Sequence, residues 1–266
     1  MTTMTEDVAF LDALFEDFSL DNSRKNEKLP KSEKREIRYQ KVVDRRRKKR
    51  VEEHRRRRER KRDAAKLGDG NSKLEMEPIS ICIDLGFCAA MNSKERGKLI
   101  RQLGRVWGLQ KRFSGLSIIL ANLDNTIREE GERIVSGFGT FGWKTTSDGL
   151  EDVQTTLSLV YLSPDAEMEP LLEIEANSTY VIGGLVDESG KGSMSREKAE
   201  SLGVRCFRLP IQEFLHKEKN GTHNVMLTIN QVTEILCLFV AAGDWVTALG
   251  PVVPVRTGFV VKNDVE

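Results

Sequence analysis

Two glycines and an aspartate at the end of an apolar run have the types and the spacing to do chemistry. Thr179-Tyr180-Val181-Ile182 leads into Gly183-Gly184-Leu185-Val186-Asp187. Glycines lack a Cβ, so their backbone amides can come close to a ligand. A carboxylate three residues further on can then take a proton beside that ligand. The same residues also fit a surface turn with a solvated Asp. The rest of the chain has to decide between the two.

Three other predicted strand ends run into polar or turn-forming loops: Tyr161-Leu162-Ser163-Pro164-Asp165, Leu209-Pro210-Ile211, and Leu227-Thr228-Ile229-Asn230-Gln231-Val232. Ligands of open α/β sheets bind at the carboxyl ends of strands. Converging loops of this kind would make a pocket mainly from backbone.

Other chemistries find no support. Gly137-Phe138-Gly139-Thr140-Phe141-Gly142 matches G-x-G-x-x-G, but a dinucleotide fingerprint follows a strand and opens a helix, and Trp143 to Gly149 has loop composition. P-loop spacing is missing. Cys82, Cys88, Cys206 and Cys237 form no C-x-x-C pair, and His54, His216 and His223 lie far from them in sequence. Neither a metal site nor a disulfide framework is expected, and a reducing compartment, cytosol or nucleus, is. No apolar run reaches the ~18 residues of a membrane span and no signal peptide opens the chain, so a soluble intracellular protein is expected.

The elements that must position these residues can be read in order. Strands are predicted at Ile79–Asp84, Leu116–Leu120, Leu157–Leu162, before Gly183, and at Arg205–Leu209. Helices are predicted from a Ser93 cap (with Leu99, Leu103, Val106 and Trp107 on one stripe), from Asp165, over Ser195–Leu202, and after Thr228. Thr228 and Gln231 have capping-box spacing, and Gly243 ends that last helix. Strands alternating with helices predict an α/β body with a mainly parallel sheet.

The formal net charge of +1 on 266 residues hides a division by region. Residues 1–21 carry six acids and no base. Residues 41–62 carry fourteen Lys or Arg against four acids, and residues 78–266 carry nineteen bases against twenty-four acids. The first segment reads as a disordered acidic tip whose residues 8–18 become amphipathic if helical, which suits a protein partner. The arm and linker, residues 22–77, contain Arg45, Arg46, Arg47, Lys48, Lys49 and Arg50, then Arg55, Arg56, Arg57 and Arg58. Cations all around a helix fit polyphosphate contact, and a nuclear-localisation signal is the main competing use.

Taken together, Tyr180 to Ser189, Leu209 to Phe214, Asn230-Gln231-Val232 with its helix, and Asp244-Trp245 resemble the tRNA (purine-nine) N1-methyltransferases. The pattern is closest to the animal B-type paralogues, on Asp187-Glu188-Ser189 and Leu209 to Glu213. The resemblance covers residues 78–262 and implies a SPOUT-class domain with a C-terminal trefoil knot, acting as a monomer without metal. It implies S-adenosyl-L-methionine as cofactor, with Leu162, Ser163, Gly183, Gly184, Leu209, Thr228, Ile229 and Asn230 lining its site. Asp187 would be the general base, guanine of a tRNA the expected target, and Lys191 a candidate phosphate contact. The Arg-rich face of the 93–112 helix would add RNA affinity. The alternative is an RNA-binding protein that keeps the fold with little catalysis.

Overall fold

The computed structural model describes residues 30–66, 73–146, 149–166, 170–186, 193–219, 221–222 and 225–261, without some side chains in the first and fourth helices. Asp187 and Lys191, like the acidic tip, lie outside the described residues. The chain forms two compact units, Met1–Gly70 and Asn71–Glu266.

The first unit contains helix α1, Lys31–Lys66. Pro30 precedes it, and Lys34 N–H donates to Pro30 O at 3.1 Å. Thirty-six residues at 1.5 Å each give a rod of about 54 Å. Glycine and proline are absent from all of it, and that is why it runs so far.

The second unit is built on six strands: β1 (Ile79–Asp84), β2 (Leu116–Ala121), β3 (Lys144–Thr145), β4 (Ser158–Leu162), β5 (Ser178–Gly183) and β6 (Arg205–Phe207). They lie in the order β3-β2-β1-β5-β4-β6, every pair parallel. Helices α2 (Ser93–Arg112), α3 (Asn125–Ile134), α4 (Leu150–Thr156), α5 (Met194–Leu202), α6 (Ile211–Phe214), α7 (Ile229–Ala242) and α8 (Trp245–Leu249) complete it, with a small antiparallel pair, β7 (Leu215–Lys217) and β8 (Phe259–Val261).

Successive strand residues point to opposite faces, and the core divides accordingly. Ile81, Ile83, Tyr180 and Ile182 pack with Leu99 and Leu103 of α2 and Ile235 and Leu236 of α7. Cys82, Val181 and Tyr161 pack on the other face, against Leu150 and Val153 of α4 and Ala199 of α5. Three layers result, helices on both sides of a parallel sheet, the arrangement that near-continuous apolar strands demand.

Three details differ from expectation. Asn92, not Ser93, caps α2: its side chain accepts from Lys94 N–H and Glu95 N–H, while Glu95 returns to Asn92 N–H. The helix expected from Asp165 is absent among the described residues 163–166 and 170–177. That stretch turns and then runs irregularly, with Pro170 bridging Arg208. A proline fits such a bridge and resists a helix interior. The Gly137 motif follows helix α3 rather than a strand, and its Phe138 and Phe141 join Trp107 and Trp143 in an aromatic cluster with ring centroids 4.7–6.5 Å apart. That loop is a packing element.

Candidate functional site

Strands β4 and β5, and the segment after β6, end side by side, and a cleft opens there. It encloses about 150 Å³ and opens widely to solvent at its mouth. Leu162, Ile182, Leu209, Leu227, Ile229 and Val232 supply apolar wall; Ser163, Asp165, Ser195, Arg208 and Gln212 supply polar groups. Main chain knits the floor together: Ser163 N–H donates to Phe207 O at 3.0 Å, and Leu171 N–H to Arg208 O at 2.9 Å.

Of the residues the sequence nominated, Leu162, Ser163, Gly183, Leu209 and Ile229 meet in this cleft. Gly184, Thr228 and Asn230 are not among its lining residues. Gly184 turns to β1, donating its N–H to Asp84 O at 2.7 Å. Thr228 and Asn230 sit at the start of α7, flanking the wall residue Ile229. The Thr228 hydroxyl has two acceptors in reach of its one proton, Gln231 Oε1 at 2.8 Å and Asn230 Oδ1 at 3.2 Å. Ile229 N–H is held by Gln102 Oε1 of α2 at 2.9 Å, which fixes the α7 N-terminus beside the cleft.

The glycine pair turns out to be needed for space. Neither Gly183 nor Gly184 is among the residues with positive φ. A Cβ on Gly183 would meet Ser195 Oγ, and one on Gly184 would stand 2.5 Å from the backbone oxygen of Asp84. Backbone cannot step aside as a side chain can, so Gly184→Ala should force β1 and β5 apart. We expect a loss of about 1–3 kcal/mol, read as a lower urea midpoint at unchanged slope, together with weaker ligand binding at the strand ends.

Sequence reasoning missed Ser195, Arg208, Gln212, Val225 and Met226. Arg208 stands directly before Leu209, so extending the strand-end pattern by one residue finds it. Val225 and Met226 likewise extend the Leu227 loop. Ser195 carries no local signal, because only the return of α5 onto β5 brings it near. Arg208 makes a two-bond pair with Glu213, at 3.0 and 2.7 Å, which raises its already high pKa. Burial, the largest cause for each, pushes the thiols of Cys82, Cys88 and Cys237 up to about 12 and that of Cys206 to about 11. They are protonated packing groups at neutral pH, unsuited to nucleophilic work. Among the described residues no group of three or more His, Cys, Asp or Glu could hold a metal ion, and no helix is long and apolar enough to cross a membrane.

Behind the cleft lies a buried carboxylate. Asp84 is 1% exposed and accepts from Gly86 N–H at 2.9 Å, Asn122 Nδ2 at 2.8 Å and the Tyr161 hydroxyl at 3.2 Å. Asn122 adopts φ 57° in the loop after β2. Burial, aided by Asp84, drives the Tyr161 phenol far above its ordinary value, so it stays a neutral donor.

The cations sort into two groups. Arg45, Arg46, Arg47 and Lys48 are exposed on α1, and Arg55 pairs with Glu52 one turn earlier. Lys49, Arg50, Arg56, Arg57 and Arg58 belong to the same helix, their side chains being outside the described ones. On α2, Arg101 and Arg105 are exposed and Lys94 and Lys98 continue their line at three- and four-residue steps, the spacing of one helix face, whereas Arg112 pairs with Glu234 of α7 at 2.6 Å. Arg96 belongs elsewhere, clamped to Glu130 of α3.

A parallel sheet with this strand order, helices on both faces and a cleft at the ends of β4, β5 and β6 defines a SPOUT-type α/β body. The chain belongs to the tRNA (guanine(9)-N(1))-methyltransferase TRM10/TRM10A family, whose model matches residues 18–258. It is 35% identical to tRNA methyltransferase 10 homolog B of Bos taurus over 191 residues, 70% of this chain and 60% of that one. The chain thus spans about 60% of the length of these curated relatives. Crystal structures of spTrm10(74), with 26% identity and a TM-score of 0.60, and of the full-length spTrm10–SAH complex, with 25% and 0.59, each cover 69% of this chain and 98% and 99% of their own.

Proposed function

We propose that this protein transfers a methyl group from S-adenosyl-L-methionine to N1 of a purine, guanine at position nine, in tRNA. One observation carries the reading: five of the residues nominated as cofactor-binding from sequence lie on one cleft at the strand ends, in a chain of this family. The relative solved with SAH, the demethylated form of that cofactor, supports it.

The cleft suits such a molecule. Apolar walls from Leu209, Leu227, Ile229 and Val232 match a flat adenine, and the polar groups suit a ribose and an amino-acid tail. Gly183 leaves room that a Cβ would take from Ser195. When bound, the cofactor supplies a methyl group already activated on a sulfonium. The protein's part is therefore orientation and one proton. Guanine N1 carries a proton near neutral pH, and Asp187 is the group we assign to accept it as the new N1–carbon bond forms. Lys191 we assign to a tRNA phosphate. The reading includes a monomer and the trefoil knot.

The arm α1 and the basic face of α2 would bind the tRNA backbone. Replacing Arg45 to Arg50 by Gln should weaken tRNA binding at least about tenfold near physiological salt and flatten its salt dependence, with cofactor affinity unchanged. Titrations at several salt concentrations measure both, and an unchanged slope would remove these residues from the interface.

The deciding experiment is transfer of labelled methyl from S-adenosyl-L-methionine to a panel of tRNA transcripts, with the modified base mapped. Methylation at N1 of purine nine is the expected result. A protein that binds cofactor and tRNA and methylates none would be an RNA-binding member of the family.

A further inference from the structure

Among its described lining residues the cleft at the strand ends carries one cation, Arg208, and one carboxylate, Asp165. Every other lining residue is apolar or bears a neutral polar group. The two charges follow neighbouring strand ends, since Leu162 of β4 pairs with Phe207 of β6. Main chain fixes Arg208 from two directions. Phe207 O, one residue earlier, accepts Ser163 N–H at 3.0 Å, and the carbonyl of Arg208 itself accepts Leu171 N–H at 2.9 Å.

The guanidinium is held as well. Glu213 of α6 takes one N–H from each terminal nitrogen, at 3.0 and 2.7 Å. Arginine has five N–H donors, so three remain for something else. The Arg208 and Glu213 side chains are 29% and 31% exposed, and a pair this open adds little to stability. The ion pair by itself therefore does not account for a cation in the wall of a cleft lined mostly by apolar and neutral groups. A guanidinium already fixed by a partner does, however, lose little freedom when a ligand arrives.

In S-adenosyl-L-methionine the adenine and ribose are uncharged, the sulfonium and ammonium are positive, and the carboxylate is the single anion. We propose that Arg208 binds this carboxylate, so that the cleft selects adenosyl ligands with a complete amino-acid tail over the same ligands without the carboxylate. The proposal rests on the reading of the cleft as the cofactor site. Arg208 is a specificity residue on this account and takes no part in moving the methyl group or the proton.

The test is calorimetric titration of the full chain with SAH and with its decarboxylated analogue, which keeps the adenosine, the thioether and the amine. Neither measurement depends on methyl transfer. The wild type should bind SAH about tenfold or more tightly than the analogue. In Arg208→Gln the affinity for SAH should fall about ten- to hundredfold, while that for the analogue stays within about twofold. This substitution also leaves Glu213 without its Arg208 counter-charge, and that carboxylate would then repel the one on the ligand. Arg208→Gln/Glu213→Gln removes the repulsion and should still show no preference for SAH. Recovery of the preference in the double variant overturns the proposal. So does an equal loss for both ligands in Arg208→Gln, which would mark general damage to the cleft. A wild type that binds both ligands equally keeps the cofactor reading and overturns the role of Arg208. A wild type that binds neither defeats the cofactor reading itself, and the proposal with it.

Discussion

The Asp187→Asn protein should bind S-adenosyl-L-methionine as the wild type does and methylate guanine N1 about two to four decades more slowly. Asparagine has nearly the same shape as aspartate, so the loop and the cleft keep their fit, but its amide cannot accept a proton at neutral pH. The loss should appear in kcat, because the interaction removed is one that grows as the N1 proton departs. A second substrate sharpens the measurement. Adenine N1 has no proton to surrender, so a tRNA with adenine at the target position should lose much less in the same variant. Comparable loss on both bases would point to misplacement of the purine. Full activity in Asp187→Asn would keep the enzyme and take Asp187 out of its chemistry.

Asp84→Ala should destabilise the second unit by about 3–5 kcal/mol. The carboxylate is nearly inaccessible and collects three donors, from the turn after β1, the loop after β2 and the middle of the sheet. Its removal strands the Tyr161 hydroxyl and the Asn122 amide without that acceptor and leaves a small cavity among them. At roughly 2–4 °C per kcal/mol for a domain of this size, melting should drop by about 6–20 °C. Asp84→Asn, which keeps one acceptor oxygen, should be milder. A shift below about 1 kcal/mol in urea unfolding would show that water or a neighbour replaces the carboxylate.

Elements whose residues speak locally could be read without coordinates. β1, β2, β4 and β5 are apolar runs with clear stops, and α7 begins at Thr228 and ends at Gly243 with φ 68°. The parallel class followed from their alternation with helices. The order β3-β2-β1-β5-β4-β6 did not, because it is set by pairings between distant segments. The site was legible in the same uneven way. Leu162, Ser163, Gly183 and Leu209 end or follow strands and were visible as a class; Ile229 was nominated with them, but the strand expected before it is absent among the described residues, 225–228 being irregular, and Ile229 opens α7. Ser195 reaches the cleft only through the packing of α5. The reason for Gly184 was also hidden, since it lies in the backbone of Asp84 on another strand. Helix α3 passed unread although Asp124 caps it, with Ile127 N–H on its side chain at 2.7 Å.

The neighbouring of β1 and β5 carries a consequence for how the molecule comes into being. Ile83 lies opposite Ile182, so the central seam joins stretches about a hundred residues apart. Everything that forms the cleft lies on the late side of that seam. Pairings over such separations close slowly, because the intervening chain must give up its freedom before the contact rewards it. On a ribosome, β1 with α2 and β2 can assemble first and wait, its flank open, until β5 has emerged. During that interval an uncovered parallel edge with apolar faces is open to pairing with other chains. Substitutions that slow the arrival of β5 should therefore show first as lower soluble yield, before any change in the activity of the molecules that do fold.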